Sequence, residues 1–206
     1  MKFIDASYKI ITPIDGVQTL KHLEYLTRIC YNSQNKITED SYKSFVSGLI
    51  KRKHFGALEH YLLSVEFKCD RAISHQIVRH RLFSFLQMSQ RYCNYSKEGN
   101  ELEFIYPKWL TEQTDNDWKH TIGSAEYDYF KMIETGHTPQ QARKVLPNST
   151  ATTLVMTGNL RNWRYFLELR TQLDVDPDLL ILTRPLLKEL QEKIPIIFDD
   201  IIYKEK

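Results

Sequence analysis

The chain has 206 residues, 42% of them apolar and 26% charged, and its 28 Lys and Arg against 26 Asp and Glu leave a net charge of +2. That length and composition favour one globular domain and exclude a repeat array, while the near balance of charge excludes a global field that would draw the protein to nucleic acid or a membrane. Three widely spaced cysteines, Cys30, Cys69 and Cys93, supply neither a disulfide framework nor a CxxC metal knuckle. No apolar run reaches the roughly 18 residues of a membrane span, and Asp5 stands where a signal peptide needs apolar residues. The expectation is a soluble, cytoplasmic chain forming a single domain over 1–206.

Apolar residues at helical spacing (Leu20, Leu23, Leu26, Ile29) predict a helix over 17–31, and Thr38 reads as the cap of a second helix ending near Lys51. His60 to Cys69 is rich in strand formers, and Asp70 then suits the N-cap of a helix from Arg71 to about Arg81. A short strand is expected over 103–106 and a long helix over 115–134, with Trp118, Ile122, Tyr129 and Ile133 inward. A short helix over 139–145 ends at Leu146-Pro147, where the residue before proline disfavours the helical conformation. The run 151–157 reads as a strand, Asn159 caps a helix to about Thr171, and 177–193 is a final amphipathic helix. Helices interspersed with few strands predict an α+β fold with a mixed or antiparallel sheet.

Two stretches carry cations without a single acid. Residues 71–97 hold Arg71, Arg79, Arg81, Arg91 and Lys97, and residues 135–167 hold Arg143, Lys144, Arg161 and Arg164. These groups need a phosphate-like anion, which guanidinium matches bidentately, or carboxylates from elsewhere in the fold. At 100° per residue, Gln76 and Arg79 form a polar stripe on the helix after Asp70. On the helix after Asn159, Arg170 shares a face with Trp163, Phe166 and Leu167, so it must snorkel outward or meet an anion in a partly buried site.

Other chemistry fails on spacing. His75 and His80 lie about 140° apart on a helix, unlike the i, i+4 zinc pair, so no metal site is expected. No GxGxxG or GxxxxGK[ST] occurs, and any phosphate must be held largely by side chains. Cys93 beside Arg91 could be a nucleophile, though a small packed cysteine is the commoner case.

The segment 79–92, RHRLFSFLQMSQRY, resembles the signature of the flavin-dependent thymidylate synthases: Arg79-His80-Arg81, seven residues, Ser89, then Arg91-Tyr92. Supporting similarity runs through HFGALEH (54–60), Gln76, Ala142-Arg143, Asn159-Leu160-Arg161 and Leu167 to Arg170. The resemblance implies a homotetramer that binds FAD between subunits and makes dTMP from dUMP. It further implies methylenetetrahydrofolate as carbon donor, NADPH as reductant and no cysteine nucleophile. For dUMP it implies Gln76, Arg79, Gln87, Ser89, Gln90, Arg91, Arg143 and Arg170, with Arg170 catalytic through ionisation of the pyrimidine N3. For FAD it implies His54, Gly56, Arg79, His80, Arg81, Asn159, Leu160, Arg161 and Tyr165. Three positions depart from the usual pattern: Leu86-Gln87-Met88 where a glutamate is common, Gly56 where a hydroxyl is common, and Asp174, Asp176 and Asp178 where a histidine often follows Arg170. The alternatives are an RNA-binding module using the Arg/Tyr stretch, which would be colourless, and a homologue that binds FAD and dUMP with little turnover.

Overall fold

A computed structural model of the chain describes residues 1–204 and is α+β, as the sequence predicts. The elements are β1 (Lys2–Ile4), β2 (Ser7–Ile10), α1 (Gly16–Cys30), α2 (Ser41–Lys51), β3 (Leu62–Asp70), α3 (Arg71–Ile77) and β4 (Ser84–Gln87), followed by β5 (Glu103–Ile105), α4 (Glu112–Glu134), α5 (Pro139–Ala142), β6 (Ala151–Asn159), α6 (Leu160–Arg170) and α7 (Pro177–Lys193). Short 3-10 turns occupy Gln34–Lys36, Gly56–His60 and Arg143–Val145. One sheet has the order β2-β3-β6-β4, and β1 pairs in parallel with β5.

The chain groups into two compact units. The first comprises 1–7, 67–79 and 85–155, and the second 8–66, 80–84 and 156–204. In the first, α4 lays Ile122 and Tyr129 on Phe104, Leu102 and Tyr95, with Trp118 and Ile133 partly buried against them, matching the predicted inward face. In the second, α6 buries Trp163, Phe166 and Leu167 completely, and α7 buries Leu179, Leu182, Leu186, Leu187 and Leu190. The Trp163 indole N–H donates to Leu63 O at 2.9 Å, which fixes α6 against β3.

Several expectations are corrected. The helix after Asp70 ends at Ile77 rather than near Arg81, although Asp70 caps it as expected by accepting from Ile73 N at 2.7 Å. The sheet needs β4 soon afterwards, and its seating on β6 outweighs local propensity; Met88 N donates to Thr153 O at 2.9 Å just beyond the strand's end. Arg79 therefore sits in a turn, and no helical stripe joins it to Gln76. The second helix starts after Asp40 rather than Thr38. The long helix starts at Glu112 because Thr111 and Thr114 form a capping box. Residues 139–145 divide into α5 and a 3-10 turn, and Ile29 on the predicted inner face of α1 is 48% exposed. Strands β1, β2 and β4 lie outside the predicted set because three or four residues give too little alternation to read.

Gly158, near the end of β6, permits a close approach: a Cβ there would run into the ring of buried Phe83. That ring is held edge-on by Trp163 at 5.1 Å and Phe166 at 6.2 Å, so it has nowhere to retreat. Gly158→Ala is expected to destabilise the fold by about 1–3 kcal/mol through overpacking, a drop of roughly 2–12 °C in Tm for a chain of this size. Gly56→Ala, where a Cβ meets nothing within 4 Å, is the control and should leave the thermal midpoint unchanged.

Candidate active site

In the first unit, four residues of the predicted dUMP set, Gln87, Ser89, Gln90 and Arg91, lie at the end of β4 and in the turn that follows it. Ser74 Oγ donates to Arg71 O at 2.9 Å, so its lone pairs face Gln87, whose Nε2 donates to it at 2.9 Å and to Thr152 Oγ1 at 3.3 Å. This fixes the amide orientation and leaves Gln87 Oε1 as the remaining acceptor. Ser89 opens a tight turn, accepting from Arg91 N on its hydroxyl at 3.2 Å and from Tyr92 N and Cys93 N on its carbonyl at 3.1 and 3.0 Å. Arg91 Nε donates to Gln140 Oε1 at 2.7 Å, three residues before Arg143, so α5 steadies one arginine and delivers the other. Nη1 of Arg71 has no hydrogen-bond partner among the described residues, and the buried Gln90 amide faces the Tyr95 hydroxyl. Buried donors without acceptors are costly, and they suit a ligand or solvent rich in acceptors. Arg79 is exposed, and Gln76 is half-buried with its polar group engaged.

The second unit holds the remaining residues. His54 and Gly56 line a cavity of about 440 Å³ together with Cys30, Tyr31, Ala57 and His60. The cavity is of ligand size, mixes apolar walls with imidazole and hydroxyl donors, and lies open at Gly56. Those features fit part of a flavin dinucleotide. Asn159 caps α6, accepting from Asn162 N at 2.9 Å, while exposed Arg161 pairs with Glu59 of the same 3-10 turn that carries Gly56. Leu160 is fully buried, so its side chain serves the core and only its backbone is near the surface chemistry. Tyr165 is 61% exposed and Arg81 is exposed.

Arg170 does not reach fully into solvent, and its protein partner is neutral. It stays half-buried and donates from Nε to His80 Nε2 at 2.9 Å. His80 is buried, and burial together with the Arg170 charge lowers its pKa from 6.5 to about 4. Of the arginines in the acid-free stretches, Arg161 and Arg164 pair with Glu59 and Asp200, whereas Arg71, Arg79, Arg81, Arg91 and Arg143 have no carboxylate within salt-bridge distance among the described residues; nor has Arg170, just beyond them.

Sequence reasoning missed Ser74, Thr152 and Gln140, whose hydrogen bonds join positions far apart in the chain and leave no periodic signal. It also missed Cys30 and Tyr31, brought to the cavity by the end of α1. Cys93 is half-buried with no base hydrogen-bonded to it, and Cys69 is fully buried with burial pushing its thiol up to about 12.

The family model described as "Thymidylate synthase complementing protein" matches residues 15–196. The chain belongs to this family of flavin-dependent thymidylate synthases. It is 30% identical over 198 residues to a flavin-dependent thymidylate synthase of Corynebacterium aurimucosum, covering 86% of this chain and 78% of that protein. A probable flavin-dependent thymidylate synthase of Paramecium bursaria Chlorella virus 1 is 32% identical over 177 residues, with 77% and 79% covered. In fold, the chain superposes with a TM-score of 0.81 on the crystal structure of the UMP/dUMP methylase PolB from Streptomyces cacaoi bound with 5-Br dUMP, at 16% identity and covering 97% and 96% of the two chains.

The depressed His80 pKa carries a pH consequence. Between about pH 6.5 and 4 the unfolded histidine binds a proton that the folded ring refuses, so this group's contribution to stability is full above pH 6.5 and shrinks as pH falls towards 4. Urea unfolding at pH 7 and pH 5 should show a loss of stability in the wild type that is smaller in His80→Gln.

Proposed function

We propose that this chain makes dTMP from dUMP, using methylenetetrahydrofolate as carbon donor and NADPH as reductant, with bound FAD as cofactor. The family to which the chain belongs is one of flavin-dependent enzymes, which supports the class of reaction. The reading extends to a cytoplasmic homotetramer with sites shared between subunits, each chain acting as one catalytic domain.

The observation that carries it is the set of arginines, Arg91 and Arg143 among them, that have no carboxylate within salt-bridge distance among the described residues. Such an arrangement is stabilised by a phosphate monoester, whose oxygens accept charge-assisted bonds from Arg91 and Arg143 and a hydrogen bond from the Ser89 region. Gln87 Oε1, its amide locked by Ser74 and Thr152, would accept from a sugar hydroxyl. Arg170 would meet the pyrimidine and stabilise negative charge at N3, where a fixed cation in a partly dry site is worth most. His54, Gly56, His80, Arg81, Asn159, Arg161 and Tyr165 would contribute to holding the flavin, which supplies hydride-transfer chemistry when bound. Among the described residues no hydrogen bond joins a base to Cys93, a feature in keeping with a route without a cysteine nucleophile.

The test is tritium release from C5-labelled dUMP by the purified protein, supplied anaerobically with FAD, NADPH and methylenetetrahydrofolate, with the product checked as dTMP. Release with dTMP formation is expected. A yellow, dUMP-binding protein that releases no tritium would instead be the low-turnover homologue, and a colourless one with salt-dependent oligonucleotide binding would be the RNA-binding module. Arg143→Ala should weaken dUMP binding roughly 10- to 100-fold, the worth of one hydrogen bond to a charged group, without changing Tm. Cys93→Ser should leave turnover nearly unchanged, and its complete loss in a folded, flavin-loaded protein would revive the nucleophile.

A further inference from the structure

Arg170 stands at the C-terminal end of α6 with one recorded hydrogen bond among the described residues, from Nε to His80 Nε2 at 2.9 Å. A guanidinium nitrogen only donates, so Nε2 must be the unprotonated ring nitrogen and the ring proton must lie on Nδ1. The imidazole itself cannot swing away. It is 9% exposed and packs edge-on to Phe166, with ring centroids 4.8 Å apart, and more loosely to Tyr165 at 6.5 Å. The charge that acts on it is cationic, Arg170 from α6; Arg79 and Arg81 of its own turn are exposed, and no carboxylate lies within 4 Å of it among the described residues. Because the guanidinium is planar, a bond that fixes Nε–H also fixes the plane of both Nη groups. Those two groups have no partner among the described residues, so their aim is set by the histidine.

We propose that His80 is the positioning residue for Arg170: its Nε2 takes the Nε–H bond and sets the plane in which Arg170 offers its Nη donors to the imide edge of a uracil ring. The proposal rests on the reading of Arg170 as the residue that meets the pyrimidine. His80 works through Arg170, and its Nε2 is not available to the flavin while this bond stands. Protonating His80 removes the only acceptor that Nε has and places two cations in contact, which releases Arg170 from its plane.

Two variants and one direct observation test this. His80→Phe keeps an aromatic ring for Phe166 but removes the acceptor, while His80→Gln keeps an acceptor without a ring. Measured at saturating FAD, His80→Phe should lower kcat about 10- to 100-fold, the range expected when a catalytic group loses its orientation; His80→Gln should restore a substantial part of it. Nitrogen-15 NMR of histidine-labelled wild-type protein should show Nε2 unprotonated and Nδ1 protonated at pH 7, and the ring pKa should rise in Arg170→Ala because a neighbouring cation is gone. A protonated Nε2, or wild-type kcat in His80→Phe, would overturn the proposal, and the NMR reading decides it even where a variant fails to fold. Arg170→Ala separates the two levels. Full turnover in Arg170→Ala would overturn the reading of Arg170 itself, whereas lost turnover there beside intact turnover in His80→Phe would overturn the positioning role alone.

Discussion

The seating of α6 depends on one buried hydrogen bond, from the Trp163 indole to Leu63 O at 2.9 Å, made through a side chain with no exposed surface. A tryptophan buried this completely needs a partner for its N–H, and a backbone carbonyl of β3 is one that cannot move away. Around it, Phe83 and Phe166 stack edge-on at 5.1 and 5.7 Å, and Gly158 lets Phe83 in. The two ends of the helix are then closed by different means. Asn159 caps the first turn, and at the other end Thr183 Oγ1 and Arg184 Nε from α7 donate to Arg170 O and Thr171 O, satisfying carbonyls that a helix terminus would otherwise leave open. A helix held at both ends and through its middle can carry Asn159, Arg161, Tyr165 and Arg170 at defined angles, as a site built on rigid elements requires.

The cations of the two acid-free stretches divide by what they do for the fold. Arg164 is 6% exposed and meets both oxygens of Asp200, with its guanidinium 4.8 Å from the Phe55 ring, so it ties the chain's last turns to α6. Removing Asp200, whose own side chain is half exposed, would leave the buried Arg164 guanidinium without its charge partner. Arg91, Arg143 and Arg79 make no comparable pair and add little to folding. Their lack of carboxylates is what leaves them available to an anion, and the neutral Gln140 orients Arg91 without competing for its charge. A carboxylate at position 140 would stabilise the turn and also neutralise the group that a phosphate has to meet.

The legible part of this molecule was the part with local cause. Asp70 and Asn159 cap their helices as their side-chain chemistry predicts, and the α7 boundaries follow from the apolar period between Pro177 and Lys193. The motif at 79–92 gave the family, later supported over residues 15–196. What escaped has a non-local cause. The early end of α3 follows from the demands of the sheet, and the bond between His80 and Arg170 joins residues 90 apart. On sequence alone, an arginine among Trp163, Phe166 and Leu167 has two outcomes, water or an anion. A neutral imidazole as acceptor is a third, and it becomes visible only when both side chains have been placed.

The same placement explains the departures from the usual pattern. Asp176, standing in the stretch where a histidine often follows Arg170, accepts from Asp178 N at 3.0 Å and starts α7, so it is committed to structure. Gln87 has its amide nitrogen spent on Ser74 and Thr152, and its remaining polar atom is a neutral acceptor. Gly56 leaves its wall of the cavity open. The changes at Gln87 and Gly56 remove a charge and a hydroxyl, and the aspartates after Arg170 make no ion pair with it among the described residues. On the proposed reading, the electrostatic work at the ring falls to Arg170, and keeping it in its plane is then a requirement of the site. A buried histidine without a proton on Nε2 meets that requirement without adding a charge of its own.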